Sequence, residues 1–479
     1  MTSDLDAIVV GAGPNGLAAA LTLARAGRSV RVYESAATIG GGTRTEELTL
    51  PGFRHDVCSS ILPLTLASPF FQTIDWDAHD VEFIHPDAPL AHALDGGRAV
   101  VLERSFAATA AGLDRDRRTD DGGAWLRLFG PLVRDARKLS RELLGPVVHV
   151  PRHPLALARF GLPALRSGES LARSRFRGEA ARALFGALTA HSMVALDRPL
   201  SAAFALVLGM YAHAVGWPMV RGGSAAVGAA LAAELRSHGG EIVTGHRVDR
   251  VGDLPAARAI LFDTTPRAMV SIVGDRLPPR TRQGYEAFRY GSGVFKVDWA
   301  LDGPIPWTAD VLRRAGTVHL GGTLEEIAGS ESDVAAGRHA ERPFTLVAQY
   351  HPWDPSRAPA GKTTAWAYCH VPSGSDMDMT HRIEAQVERF APGFRDLILA
   401  RATHSPAELE AYDPNYIGGD INAGISDIRQ TLFRPIPSVD PYHAGPGLYL
   451  CSSSTPPGGG VHGMSGYHAA RSALRRDLR

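Results

Sequence analysis

The sequence predicts an α/β fold in which a Rossmann-like dinucleotide-binding domain is interleaved with an α+β domain that has a mixed or antiparallel sheet of its own. Three observations carry this. Residues Ala7 to Leu17 form an apolar run that breaks into Gly11, Gly13 and Gly16 in G-x-G-x-x-G spacing. A β-branched run, Val30 to Tyr33, ends on an acid, Glu34. Near the C-terminus, Gly447 to Ala470 reads as strand, glycine-rich turn and helix.

The first unit has a physical logic at each glycine. Gly11 permits the tight turn out of the strand, Gly13 lets a pyrophosphate approach the backbone, and Gly16 lets the helix pack close to the sheet. Phosphate charge then faces the N-terminus of a helix over Leu17–Arg25, capped by Gly27, where free N–H groups favour an anion. Glu34 is placed to accept hydrogen bonds from ribose hydroxyls and to repel a 2′-phosphate, which disfavours NADP. Just beyond lies a second glycine cluster, Gly40 to Gly42, with Thr43 and Arg44. A larger dinucleotide lying extended needs such a second close backbone approach, with an arginine for phosphate charge.

The 479 residues suggest two or three domains, and 50 basic residues balance 50 acidic ones. A neutral chain lacks the basic face that nucleic acid requires. Cys58, Cys369 and Cys451 stand far apart, so a disulfide framework, a C-x-x-C pair and a zinc site are not expected. With strand one at the N-terminus, no signal segment is expected and the location is read as cytoplasmic. Ala202 to Val215 is too short to span a bilayer, so any membrane contact is expected to be peripheral.

Along the chain, residues 61–216 lose the strand-helix alternation. The arginines Arg166, Arg173, Arg175, Arg177 and Arg182 read first as a solvated helix face and second as a membrane-facing one. The first domain's pattern returns at Arg221-Gly222-Gly223-Ser224, with a helix over Ala225–His238, strands over Glu241–Thr244 and His246–Val251, and a buried strand over Ala259–Asp263. Val294 to Leu301 alternates with period two, as a half-buried antiparallel strand does, and Phe344–Tyr350 and Thr364–His370 repeat the style. The division that follows is 1–60, 217–275 and 440–479 for the dinucleotide domain, and 61–216 with 276–439 for the substrate domain.

In the C-terminal turn, backbone N–H groups from Gly458 to Met464, backed by a helix N-terminus, make an anion site. A flavin ring develops negative charge on reduction, and such donors stabilise it. Here the chain resembles the phytoene desaturase-like flavoproteins, within the wider amine oxidase and glutathione reductase-type FAD superfamily. The likeness spans essentially the whole length and rests on Val10 to Gly16 with Glu34, Gly40 to Thr45, Gly52 to Asp56, Arg221 to Ser224 with Val248, and the C-terminal run. Phe295 to Trp299 and Gly418-Gly419-Asp420 resemble bacterial relatives of pyridine nucleotide-disulphide oxidoreductase domain-containing protein 2. No redox cysteine pair follows the fingerprint.

The resemblance implies a glutathione reductase-type FAD domain with FAD extended across it. Gly11, Gly13 and Gly16, with Pro14 and Asn15, would hold the pyrophosphate, and Glu34 the adenosine ribose. Gly41, Gly42, Thr43 and Arg44 would take the phosphates and ribityl side, Val248 the adenine, and Gly460, Val461 and Met464 the isoalloxazine. Carotenoid desaturases carry a histidine where this chain has Pro456, which argues against a carotenoid. No metal is implied.

A flavin accepts hydride, so the protein need only position a C–H, exclude water and tune charge. His462, His191 and Asp420 are the leading acid-base candidates, with His55, Asp56 and His213 behind them. Each also has a plain structural reading, an Asx turn for Asp420 and an ion pair with Asp298 for Lys296. The function expected is FAD-dependent oxidation of a lipophilic small molecule, carbon-carbon desaturation first. A saturase, an isomerase, an amine oxidase framed by Trp217, Tyr416 or Tyr467, and a flavoprotein that binds a lipid or partner without turnover are the alternatives.

Overall fold

A computed structural model describes residues 5–115 and 119–479. Its six-stranded sheet runs in the order His443–Gly445, Leu448–Leu450, Ala257–Phe262, Leu5–Val10, Val30–Tyr33, Glu241–Val243. All neighbours are parallel except the antiparallel pair at the His443 edge. Register pairs Val10 with both Tyr33 and Phe262, so three strand ends open together onto the glycine loop. The strands read as continuous apolar runs because both faces are covered. One face packs against the helices Pro14–Arg25, Ala225–Ser237 and Met464–Arg476. The other packs against Met269, Val273 and Tyr285.

The second sheet has seven strands, ordered Ile398–His404, Gly293–Leu301, Thr363–Val371, Thr345–Gln349, Ala315–Leu320, Ala88–Leu94, Arg98–Leu102. Only the Ala315–Leu320 and Ala88–Leu94 pair is parallel. Its two faces differ in chemistry. Phe295, Val297, Trp299, Val318, Val347, Ala367 and Cys369 form an apolar core with Ile383, Val387 and Phe390 of the helix Thr380–Phe390. The alternate residues, His92, Lys296, Asp298, Thr317, His319, Trp366 and His370, are polar or aromatic and buried as well.

Within residues 61–216, Ala88–Leu94 and Arg98–Leu102 complete the second sheet before the helices from Phe106–Leu113 to Ser201–Ala214 begin. Two expectations need correction. His246–Val251 forms no strand. Gly245 turns the chain with φ +66, its N–H donates to Ala36 O and that of His246 to Glu34 O, and the segment crosses the end of the sheet. Gly293–Leu301 is buried along its whole length, not on one face, because the polar face is covered too.

Candidate functional site

At the carboxyl ends of the parallel strands lies a cavity of about 500 Å³. This is where open α/β sheets take ligands. One end is lined by Tyr33, Glu34, Ala36, Arg247 and Val248, the middle by Gly11, Gly13, Pro14, Asn15 and Gly41 to Arg44. The other end is lined by Cys58, Ser59, Tyr416, Ile421, Gly460 and Val461.

Close backbone approach is built into the middle. Gly11 has φ +104, and a Cβ on Gly13 would stand 2.7 Å from Asp263 Oδ2. A Cβ on Gly16 would stand 2.1 Å from Gly11 O, so Gly16 serves packing behind the cavity wall. A Cβ on Gly42 would stand 2.2 Å from the Tyr416 hydroxyl. Gly13 is the N-cap of the helix Pro14–Arg25 and offers no side-chain cap; Pro14 has no N–H and the Gly16 N–H goes to Asp263, so the Asn15 N–H is the first-turn donor left to a ligand.

The charges in the cavity are ordered by hydrogen bonds. Glu34 accepts from the N–H groups of Ala12 (2.7 Å) and Ala36 (2.9 Å) and meets Arg44 at 3.4 Å. Arg44 also donates to Thr38 O and lies against the Tyr412 ring. Asp263, at the end of the central strand, accepts from Gly16 N–H at 2.8 Å. Burial raises its pKa to about 8, helped by the negative Asp413 and Glu34, so at neutral pH it is mostly protonated.

The structure places the remaining sequence-derived candidates as follows. Met464 is buried behind the turn and donates its N–H to His462 Nδ1. His462 Nε2 lies 3.1 Å from Gly458 O, so both ring nitrogens are engaged in shaping the turn. Burial lowers its pKa to about 4. Asp420 accepts from the N–H groups of Gly291, Asn422 and Gly424 at 2.7–2.8 Å and holds a loop. His213 accepts from Trp125 within the helical layer. His55 Nε2 bonds Thr49, and Asp56 accepts from Arg357 and Ser60. Lys296 is ion-paired with Asp298. Trp217 packs edge-on to His191, whereas Tyr467 sits against Phe70 on the final helix.

Sequence reasoning missed Asp263, Asp413 and Tyr412, which line the cavity together with Tyr416, named from the sequence only as a ring for an amine oxidase; the last three come from a segment more than a hundred residues away from any sheet strand that shapes the glycine loop. Asp263 carried one signal, an acid at the carboxyl end of a buried strand. A second group, of which only His191 was foreseen, lies beyond Cys58, which packs with Met193, Tyr368, Tyr416 and Ile421. There the polar sheet face brings His319 Nε2 to 3.1 Å from His191 Nε2, and the His370 Nδ1–H donates to Glu331 at 2.8 Å.

His191 keeps accessible surface, yet burial lowers its pKa to about 3. Tyr368 also keeps surface while burial raises its pKa. Among the described residues, Trp217 Nε1, His319 Nδ1 and His370 Nε2 are buried without a partner at this place. Groups so left need water or a ligand.

The chain matches known proteins in the same parts. Residues 9–73 match the family described as NAD(P)-binding Rossmann-like domain. Pyridine nucleotide-disulfide oxidoreductase domain-containing protein 2 of Rattus norvegicus is 26% identical, with 98% of this chain and 94% of that protein covered. An oxidoreductase from Methanosarcina mazei superposes with a TM-score of 0.65 at 16% identity, covering 98% of this chain and 100% of the other. Putrescine oxidase bound to putrescine gives a TM-score of 0.60 at 18% identity, with 99% of each chain covered. The chain is thus similar over nearly its whole length to pyridine nucleotide-disulfide oxidoreductase domain-containing protein 2, is built on a Rossmann-like dinucleotide-binding domain and shares the fold of solved oxidoreductases.

Proposed function

We propose that the chain is an FAD-dependent oxidoreductase of the phytoene desaturase-like kind, acting on a lipophilic substrate and forming a carbon-carbon double bond. The observation that supports this most is the cavity that runs from the glycine loop to Gly460 and Val461, with Cys58 and Tyr416 at that end packed against Met193 and Tyr368. When bound, FAD supplies the hydride acceptor.

The residues present fit that cofactor. Gly11, Gly13, Pro14 and Asn15 would hold the pyrophosphate, with Glu34 at the ribose, Val248 at the adenine, and Gly41 to Arg44 and Gly460 to Val461 farther along. A diphosphate beside a carboxylate is normally repelled, but the protonated Asp263 presents a donor in place of a second negative charge. Behind the ring, Met464 and His462 set the turn rather than touch the ligand. Toward the substrate, Tyr368, Tyr416 and Met193 give an apolar, dry wall. The His191–His319 pair is neutral, with one N–H between the two facing nitrogens, so it can relay a proton only by releasing one at a far nitrogen as another arrives.

Amine oxidation is the second reading, favoured by Tyr368 and Tyr416 lying in one cluster beside Cys58. Against it, the acids of the polar face are already paired, Asp298 with Lys296, Asp56 with Arg357 and Glu331 with His370. An ammonium group would find no free carboxylate there.

The test is the anaerobic visible spectrum of the purified protein, before and after adding NADH, NADPH, long-chain unsaturated lipids or alkylamines. A flavin spectrum bleached by a lipid supports desaturation, bleaching by an amine supports the second reading, and bleaching by a nicotinamide supports a saturase or reduced-flavin isomerase. A protein that takes up no FAD sinks the proposal.

A further inference from the structure

The helix Pro154–Ala164 and the loop before it expose apolar side chains to an unusual degree. Val148 is 58% exposed, Val150 90%, Leu155 74%, Leu162 73% and Leu165 52%. On the helix these positions are not scattered. Leu155, Ala158, Leu162 and Leu165 recur at spacings of three and four and form one outward stripe, while Ala156, Phe160 and Ala164 form the inward one that joins the helical core. Apolar surface concentrated in this way marks an interaction site.

The charge around it is one-sided. Between Arg134 and Arg166 the chain carries seven Arg and Lys against two acids, Asp135 and Glu142, in a protein whose formal charge is zero. Both acids are buried and engaged. Asp135 takes Lys138 at 2.7 Å and Arg159 at 3.5 Å. Glu142 accepts from His149, from the His153 ring and from the backbone N–H groups of Arg152 and His153, which folds the loop so that Val147, Val148 and Val150 project. Arg137 and Arg141 on the preceding helix Ala136–Leu143, Arg152 in the loop and Arg159 on the helix itself are exposed. Farther on, Arg173 pairs with Glu169 and Glu325 and Arg182 caps Phe176 O, so these two arginines are committed to the fold.

We propose that this loop and helix form a docking surface for an anionic lipid bilayer, with Val148, Val150, Leu155 and Leu162 entering the interface and the surrounding arginines meeting lipid headgroups. Charge complementarity selects the occupant. An apolar stripe ringed by exposed cations matches an interface that is apolar within and negative at its surface. A second copy of the same face would instead set arginine against arginine. No described helix is long and apolar enough to cross a membrane, so the contact is a surface one. It would place a protein that acts on lipophilic molecules where they are dissolved, and in that respect alone it rests on the function proposed above.

The experiment is co-sedimentation of the flavin-loaded protein with vesicles of phosphatidylcholine alone and of phosphatidylcholine with phosphatidylglycerol. Binding should be about ten-fold or more stronger with the anionic vesicles and weaken with salt. Val150→Asp with Leu162→Asp should abolish it, and Arg137→Glu with Arg141→Glu should remove its dependence on phosphatidylglycerol. Every one of these side chains is exposed, so flavin content and melting temperature should not change, which separates this proposal from the cofactor reading. Absence of vesicle binding by the native protein overturns it, as does binding that survives Val150→Asp with Leu162→Asp. A concentration-dependent dimer dissolved by those substitutions, without vesicle binding, assigns the face to a second copy and overturns it too.

Discussion

Single residues at the cavity are fixed by what stands opposite them. Gly13 faces the Asp263 carboxyl across a space that a Cβ would fill, at 2.7 Å. Gly13→Val is therefore expected to fold but to purify without flavin, and a normal flavin-to-protein ratio would contradict the placement. Asp263 carries a pH consequence whose sign is determined. Its folded pKa of about 8 lies above the usual 3.8, so the fold holds a proton that the unfolded chain releases. The stability attached to that proton is present below about pH 4 and is lost as the pH rises through about 8. Asp263→Asn should be stabilised relative to the native protein progressively across that range, which thermal melts at several pH values would show. His462 differs in kind. With both ring nitrogens on the backbone, His462→Ala should loosen the turn and weaken flavin retention, whereas normal retention with slowed reduction would return it to the chemistry.

At the scale of elements, the first and last helices meet more closely than their sequences announce. A Cβ on Gly466 would lie 1.8 Å from Asn15 O, so the final helix rests directly on the backbone that opens the glycine loop. Gly466→Val should cost at least the 1–3 kcal/mol typical of overpacking, read as a fall in the denaturation midpoint, and should lower cofactor affinity because Asn15 lines the cavity. The strands Gly293–Leu301 and Thr363–Val371 illustrate the opposite case. Their alternation is plain in the sequence, and register then sets Lys296 beside Tyr368 and Asp298 beside Trp366. That the polar side is the buried, candidate substrate side follows only from what covers it.

For the molecule as a whole, the join between the two sheets is a buried polar knot. Arg357 donates to Asp56 and Asp354 at 2.9 Å each and to Val220 O at 3.0 Å, with its guanidinium over the Tyr350 ring. Burial alone would raise the Asp56 pKa, but Arg357 and three hydrogen bonds from Ser60, Ser224 and Thr45 hold it below the usual carboxylate range. Removing one partner strands the others' charge, so Arg357→Ala should lose about 3–5 kcal/mol in chemical denaturation. Arg357→Met combined with Asp56→Asn and Asp354→Asn should recover part of it. Full stability of the single variant would show that the knot does not join the parts.

The sequence alone determined the dinucleotide unit, because its signals are local. Turn glycines, a helix start and a strand ending on Glu34 lie within about thirty residues, and the backbone conformations they demand do not depend on the rest of the chain. It also determined that two distant segments return to that unit, through the apolar strand before Asp263 and the turn at Gly458 to Met464. What only the tertiary structure decided is everything made by convergence. Tyr412, Asp413 and Tyr416 reach the cavity from the end of the helix Pro406–Tyr412 and the turn after it, and His191 meets His319 across 128 positions. The strands at Ala88–Leu94 and Arg98–Leu102 find their sheet only when the partner at Ala315–Leu320 is present. Likewise, an apolar stripe on the helix Pro154–Ala164 is core or surface according to which side the molecule leaves bare, since hydrophobic periodicity states that a face exists and packing alone states what it faces.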